Sequence, residues 1–212
     1  METFYSLAST GELLTHIMSS LLVYTYAVIL ALVLAVPLGI CMEVYPPAHI
    51  FFDPLISFFQ PIPGIAWIPL AMLWFGLGYS AVAFIIFLSA FFPMIAGTRE
   101  GVRNVRKPLL KAAAVLGAGK RMTILDVIIP SASPFILVGI RTGLGYGWRS
   151  LVAAEMIASM SGLGFLITDA RMKLRADLML VAIITIGFLG WCIEKSFSKL
   201  VESKTVNRWR GA

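Results

Sequence analysis

The chain has 212 residues, 59% of them hydrophobic and 13% charged, with a mean hydropathy of +0.89 and a formal charge of +6. A soluble domain carries about 45–50% apolar and about 25% charged residues, so composition excludes a soluble enzyme, a disordered linker and a disulfide scaffold. The excess of bases does not point to nucleic acid: no Lys or Arg precedes Arg99, and the later ones gather between apolar runs, the positive-inside pattern of a membrane protein.

A hydrocarbon core of about 30 Å needs about 20 helical residues to cross it. Residues 1–16 show no basic n-region and no early apolar run, so no cleavable signal is expected. Residues 17–42 are uncharged and end at Glu43, which makes them a first span, with Ser9 and Glu12 framing a capping box before it. No charge occurs from 54 to 98, a length for two spans. Gly76, Gly78 and Ser80 mark a tight turn inside that run, which gives spans at 61–75 and 81–97. Pro37, Pro61, Pro63 and Pro69 are expected to kink helices.

From Arg99 the character changes. Arg99, Arg103, Arg106, Lys107, Lys111, Lys120 and Arg121 face only Glu100 and Asp126. Pro108 starts a short helix and Gly117 and Gly119 end it, with Leu109, Leu110, Ala113 and Leu116 at helical spacing. A second short helix, with Ile124, Leu125, Ile128 and Ile129 on one side, is expected to stop at Pro130. Too short and too charged to span, the two make a cytoplasmic helical hairpin over 108–130. Ser133 and Pro134 then form an N-cap and N1 pair opening a fourth span over 133–160. Within it Gly139, Gly143 and Gly147 recur every four residues, a face that lets another backbone approach closely. The sequence 161–164 breaks the helix, and a polar loop carries Asp169, Arg171, Lys173, Arg175 and Asp177. A fifth span over 178–193 leads to a basic tail with Lys195, Lys199, Lys204, Arg208 and Arg210.

The expected fold is therefore an all-α integral membrane protein, one domain of about five transmembrane helices with a cytoplasmic hairpin. With the hairpin inside, the N-terminus is outside and the C-terminus cytoplasmic. One segment runs against this count: 43–60 is expected on the cytoplasmic side yet holds no base.

Chemistry-bearing residues are few. Cys41 and Cys192 both sit in apolar stretches and imply neither a disulfide framework nor a metal site. His16 and His49 lack the spacing of a metalloprotease helix, and Gly119-Lys120-Arg121 lacks the first glycine and the Ser or Thr of a phosphate-binding loop. No metal or cofactor is expected in this chain. Arg149 and Glu155 lie inside the fourth span, where an ionisable residue faces a cavity or a partner. Six residues apart, they point to differing faces, so a mutual pair is not expected. Arg149 either borders a solute path or satisfies carbonyls at a helix break; Glu155 either joins that path or snorkels outward. Trp148 either lines the path or packs, and Arg141 anchors the helix nearer the inner boundary.

The spacing Lys111-Ala112-Ala113, three residues, Gly117, nine residues, Val127-Ile128-Ile129-Pro130 resembles the Glu-Ala-Ala motif of permease subunits from binding-protein-dependent type I ABC importers. Both alanines, the glycine and the proline are in register, while Lys111 stands where that family usually has Glu. The stretches 61–69, 73–78, 147–156 and 161–165 are similar to the nitrate, sulfonate and taurine branch, and the resemblance covers about residues 10–200. It implies a MetI-like permease fold in the inner membrane and a second copy of the permease. It further implies two ATP-hydrolysing subunits that bind the ATP and magnesium, and an extracytoplasmic solute-binding protein. Lys111, Ala112, Ala113, Gly117 and Pro130 would then belong to the coupling hairpin. Translocation of a small anion past Trp148, Arg149 and Glu155 by alternating access is the implied function, with no enzymatic role. A stand-alone channel or membrane-embedded enzyme is the alternative.

Overall fold

The structure is a computed structural model that describes residues 11–209. Ser9 of the expected capping box lies outside those residues, as does Arg210 of the tail. Helix α1, Glu12–Val44, starts instead at Gly11, which takes φ 74° and makes no side-chain cap. Helix α2 is Pro46–Phe59, and after a 3-10 turn at Gly64–Trp67 comes α3, Ile68–Phe75. Helix α4 is Tyr79–Arg103 and α5 is Lys107–Val115. A three-residue α6, Lys120–Met122, runs through a π-helical turn, Thr123–Ile128, into α7, Ile129–Ala158. Helices α8, Leu163–Met172, and α9, Ala176–Trp209, complete the chain.

Four helices are long and apolar enough to cross a membrane. The pair α2 and 64–75, bent by 90° at its break, is apolar enough to make a fifth. Three expectations change here. The segment 43–60, expected only as a base-free stretch between spans, is largely helical: Pro46 and Pro47, compatible with the first turn of a helix, start α2. The expected second span is therefore interrupted, because Pro61 and Pro63 remove amide donors at the break. Nor does the second hairpin helix stop at Pro130. Helical structure is continuous over Lys120–Ala158, 39 residues, and the wide turn at Thr123–Ile128 makes room where the proline ring would strike the carbonyl of residue 126. Ser133 accordingly lies inside the helix and donates to the Pro130 carbonyl, 2.9 Å away, rather than capping a new one. At about 1.5 Å per residue that helix is about 58 Å long, roughly twice the hydrocarbon thickness. The expected polar loop after residue 164 is largely α8.

The core is a pairing of α4 with α7. A methyl at Gly97 would fall 2.5 Å from Gly139 Cα, one at Gly101 2.8 Å from the Ala132 carbonyl, and one at Gly143 2.7 Å from the Ala90 carbonyl. Gly147 is less confined, with its nearest neighbours at 3.5 Å. Helix α1 packs on the other flank of α4, where Gly39 receives the Thr98 side chain. Apolar lipid offers no hydrophobic drive for helix pairing, so backbone approach through small residues supplies the contact.

At one end of this bundle, the hairpin end, the chain gathers charge. Glu43 accepts hydrogen bonds from Arg99 Nε and Arg103 Nε, both at 2.8 Å, and Arg99 also pairs with Asp53. Lys120 Nζ lies 4.0 Å from the centroid of the Tyr45 ring. The missing bases of 43–60 are thus supplied by the ends of α4 and α6.

Because Gly97 meets backbone atoms, Gly97→Ala is expected to destabilise the fold by about 1–3 kcal/mol. Gly187, with open space around it, is the control: Gly187→Ala should be neutral or stabilising by up to about 1 kcal/mol. Thermal unfolding of the detergent-purified protein reads both, and equal midpoints would contradict the α4–α7 contact.

Candidate functional site

The hairpin is built around one helix stop. Pro108 sits in the first turn of α5. At the other end Gly117 takes φ 76°, the left-handed conformation that favours glycine. Gly117 N donates to the Ala114 carbonyl at 3.1 Å and Ala118 N to that of Ala113 at 2.9 Å, the paired bonds of a Schellman stop. Ala113 is buried against the body, whereas Lys111 and Ala112 face outward. Val115 and Leu116 are 88% and 85% exposed at the tip, and Pro130 lies exposed on α7, after the wide turn. Two bare aliphatic side chains thus lie on the surface near the exposed Lys111.

At the opposite end of the bundle, Glu155 is 2% exposed and fully engaged. Its carboxylate accepts from Ser20 Oγ at 2.7 Å and from Gly164 N at 2.9 Å, while Leu163 N donates to Ser20 Oγ at 2.9 Å. Glu155 and Ser20 together therefore close the N-terminus of α8, whose partial positive charge favours a carboxylate. Gly162, at φ 107°, lets the loop wrap this group: a methyl there would fall 2.3 Å from Glu155 Oε1. Around it, His16 Nδ1 accepts from Gly162 N, and the hydroxyls of Ser19, Tyr79 and Ser161 bond to one another.

Between these ends stands Arg149, exposed on α7. It borders two clefts. One, of about 480 Å³ between α7 and α9, is lined also by Trp148 and Gly190 and by the Arg141–Glu194 ion pair. The other, of about 620 Å³, lies between α4, α7 and the proline elbow at 60–65. Its guanidinium lies 5.8 Å from the Tyr146 ring centroid, within cation–π reach. Among the described residues no carboxylate pairs with it. Trp148 is 8% exposed, edge-on to Tyr24 at 5.3 Å, with its indole against Gly190, so it packs while bordering the first cleft. Arg149 and Glu155 thus face different surroundings, and the structure does not bring them together.

Residues 27–200 match the family of binding-protein-dependent transport system inner membrane components. The chain belongs to that family. It is 40% identical over 95% of its length to a putative ABC transporter permease protein of Methanocaldococcus jannaschii, covering 75% of that protein. It is also 35% identical over 92% of its length to the taurine transport system permease protein TauC of Escherichia coli, covering 70% of it. The fold is that of a chain of the MetNI methionine ABC transporter, at TM-score 0.77 and 17% identity, covering 92% of this chain and 97% of that one. The protein is an ABC importer permease subunit, a multi-pass membrane transport component and not an enzyme.

Sequence reasoning expected kinks at Pro61 and Pro63 but did not place the elbow at 60–65 in the wall of a cleft, nor Ser89 and Ser150 beside it. The proline spacing was the available signal for the elbow; nothing in the sequence marked the two serines.

Removing the Glu155 carboxylate leaves Ser20 and the Gly164 amide without their acceptor. Glu155→Ala is expected to lower stability by about 1–3 kcal/mol, read as a fall in the unfolding midpoint. An unchanged midpoint would show that the carboxylate does not hold the α8 junction.

Proposed function

We propose that this permease imports a small oxyanion, of the nitrate, sulfonate or taurine kind, by alternating access between two membrane faces. The reading takes two copies of the chain and a pair of ATP-hydrolysing subunits docked on the hairpins. An extracytoplasmic binding protein delivers solute at the end that carries Glu155 and α8. The N-terminus is then outside and the C-terminus cytoplasmic, with Lys120, Arg121, Arg99 and Arg103 on the inner side, as the positive-inside bias requires.

The observation that carries the substrate class is Arg149. It is a charge in a membrane-spanning helix, open to two clefts and without an anionic partner among the described residues. Such a group is costly in a membrane unless it meets water, a partner or a solute, and a guanidinium fork fits oxyanions. The name of the taurine relative supports the same class. Trp148, beside Arg149, borders the path, while Glu155 shapes its outer end through α8. The energy comes from the partner, since this sequence has no phosphate-binding loop.

Arg149→Gln is expected to assemble with its ATPase yet lose most taurine uptake in proteoliposomes supplied with binding protein, and Arg149→Lys to retain part of it. Full uptake by Arg149→Gln would remove the arginine from the path. For the hairpin, Leu116→Glu leaves the fold intact because the side chain touches little of its own chain. It should nonetheless abolish co-purification of the ATP-hydrolysing subunit. Normal complex formation by that variant would move the docking surface elsewhere.

A further inference from the structure

We infer that the turn between α8 and α9 is a docking point for the extracytoplasmic solute-binding protein, with Leu174 as its apolar anchor and Arg171 as its charged one. The matching surface on that partner is an apolar pocket rimmed by carboxylates. The inference rests on the importer reading above and adds where, and by what chemistry, the delivering partner is held.

The first observation is the backbone at Leu174. It takes φ 55°, and no other non-glycine residue among those described has a positive φ. Leu174 N donates to the Arg171 carbonyl at 3.1 Å and Arg175 N to that of Ala170 at 2.9 Å. These are the paired bonds of a Schellman stop, with Leu174 at the position usually held by glycine. The same kind of stop in the hairpin does use glycine, Gly117 at φ 76°. In the left-handed conformation a side chain brings its Cβ against the following carbonyl, so glycine or asparagine would form this turn at less cost.

The second is the exposure of the side chain held there. Leu174 is 91% exposed, and Met172 beside it is 68% exposed. A lone exposed leucine is ordinary; one that also occupies an unfavourable backbone conformation neither suits its turn nor fills a core. The turn is braced on both sides, by Lys173 Nζ on Asp169 at 2.7 Å and by Arg175 on Asp177 at 2.6 Å. An apolar group presented in a fixed conformation loses little freedom when a partner covers it.

The third is charge. Residues 171–175 hold three bases, Arg171, Lys173 and Arg175, all exposed. Asp169 and Asp177 answer two of them, while Arg171 has no carboxylate partner among the described residues. On the outer side the bilayer does not account for them. The positive-inside bias runs the other way, and the anionic surface that attracts basic segments belongs to the cytoplasmic leaflet. Carboxylates around an apolar pocket complement this turn in both charge and hydrophobicity.

The test measures the affinity of the importer's purified solute-binding protein, solute-free and taurine-loaded, for the permease–ATPase complex in nanodiscs. Leu174→Gly and Leu174→Asn are each expected to weaken capture by roughly tenfold or more, as loss of an interface anchor does. Their unfolding midpoints should stay level or rise, because the left-handed turn then costs less. Leu174→Met should keep most of the affinity, and Arg171→Glu should lower it and flatten its dependence on salt. Wild-type affinity in Leu174→Gly or in Arg171→Glu would overturn the docking point, as would a lowered midpoint in Leu174→Gly, which would make the leucine part of the fold. A fluorophore on Leu174→Cys, in a Cys41→Ser and Cys192→Ser background, is expected to respond to added binding protein and not to brominated lipid. Quenching by brominated lipid would make the turn a membrane anchor and overturn the inference. Capture by the wild type with no effect of the Leu174 variants refutes the anchor alone, and no capture by the wild type in either solute state refutes the importer reading itself.

Discussion

The backbone contact between α4 and α7 is the constraint on which the rest of the molecule depends. Gly97 against Gly139, and Gly101 and Gly143 against carbonyls of the facing helix, bring the two helices closer than any side chain permits. In lipid this approach substitutes for the hydrophobic drive that water would provide. Several polar features are then placed by where they fall along these two helices. Arg99 and Arg103 end α4 and meet Glu43; Ser89 and Ser150 face the same cleft from the two sides of the pair.

Polar groups at the two ends are handled in different ways. The hairpin end keeps charges in ion pairs that link α1, α2 and α4, so the base-free segment 43–60 borrows its counter-charge from the neighbouring helix. At the other end Glu155 is used as a helix cap, with Ser20 joining it to α1 and Gly162 leaving room for its oxygens. Both solutions tie sequence-distant elements together, because a charge at a membrane boundary is stabilised by whichever opposite or donor group the packing presents.

Arg149 has neither solution. Its surroundings are an aromatic ring and two clefts, and that contrast with Glu155, six residues along the same helix, gives the site its meaning. About one and two-thirds turns of helix separate a structural carboxylate, enclosed by three elements, from a cation exposed at two clefts. The elbow at 60–65 completes the contrast. Broken by prolines rather than by polar residues, it brings irregular backbone to the cleft wall, a placement tolerated in a membrane where it lines a cavity.

Composition and hydropathy alone determined that the chain spans a membrane, where most of its spans lie, and that 99–130 carries the charge; the Lys111–Pro130 spacing determined the family. These are local properties, set by what each segment must bury and by spacing along one strand of sequence. The continuous 39-residue helix through Pro130 was not legible, since a proline's effect depends on whether the preceding turn widens to admit it. Arg149 and Glu155 were recognisable as ionisable residues in a span, but their opposite environments were not. Glu155 finds Ser20 at a separation of 135 residues, and Arg149 borders a cleft walled by an elbow from residues 60–65. Which ionisable group is capped and which is left open to the cleft was decided by tertiary packing, because the partners that settle the cost of a buried charge come from elements far apart in the chain.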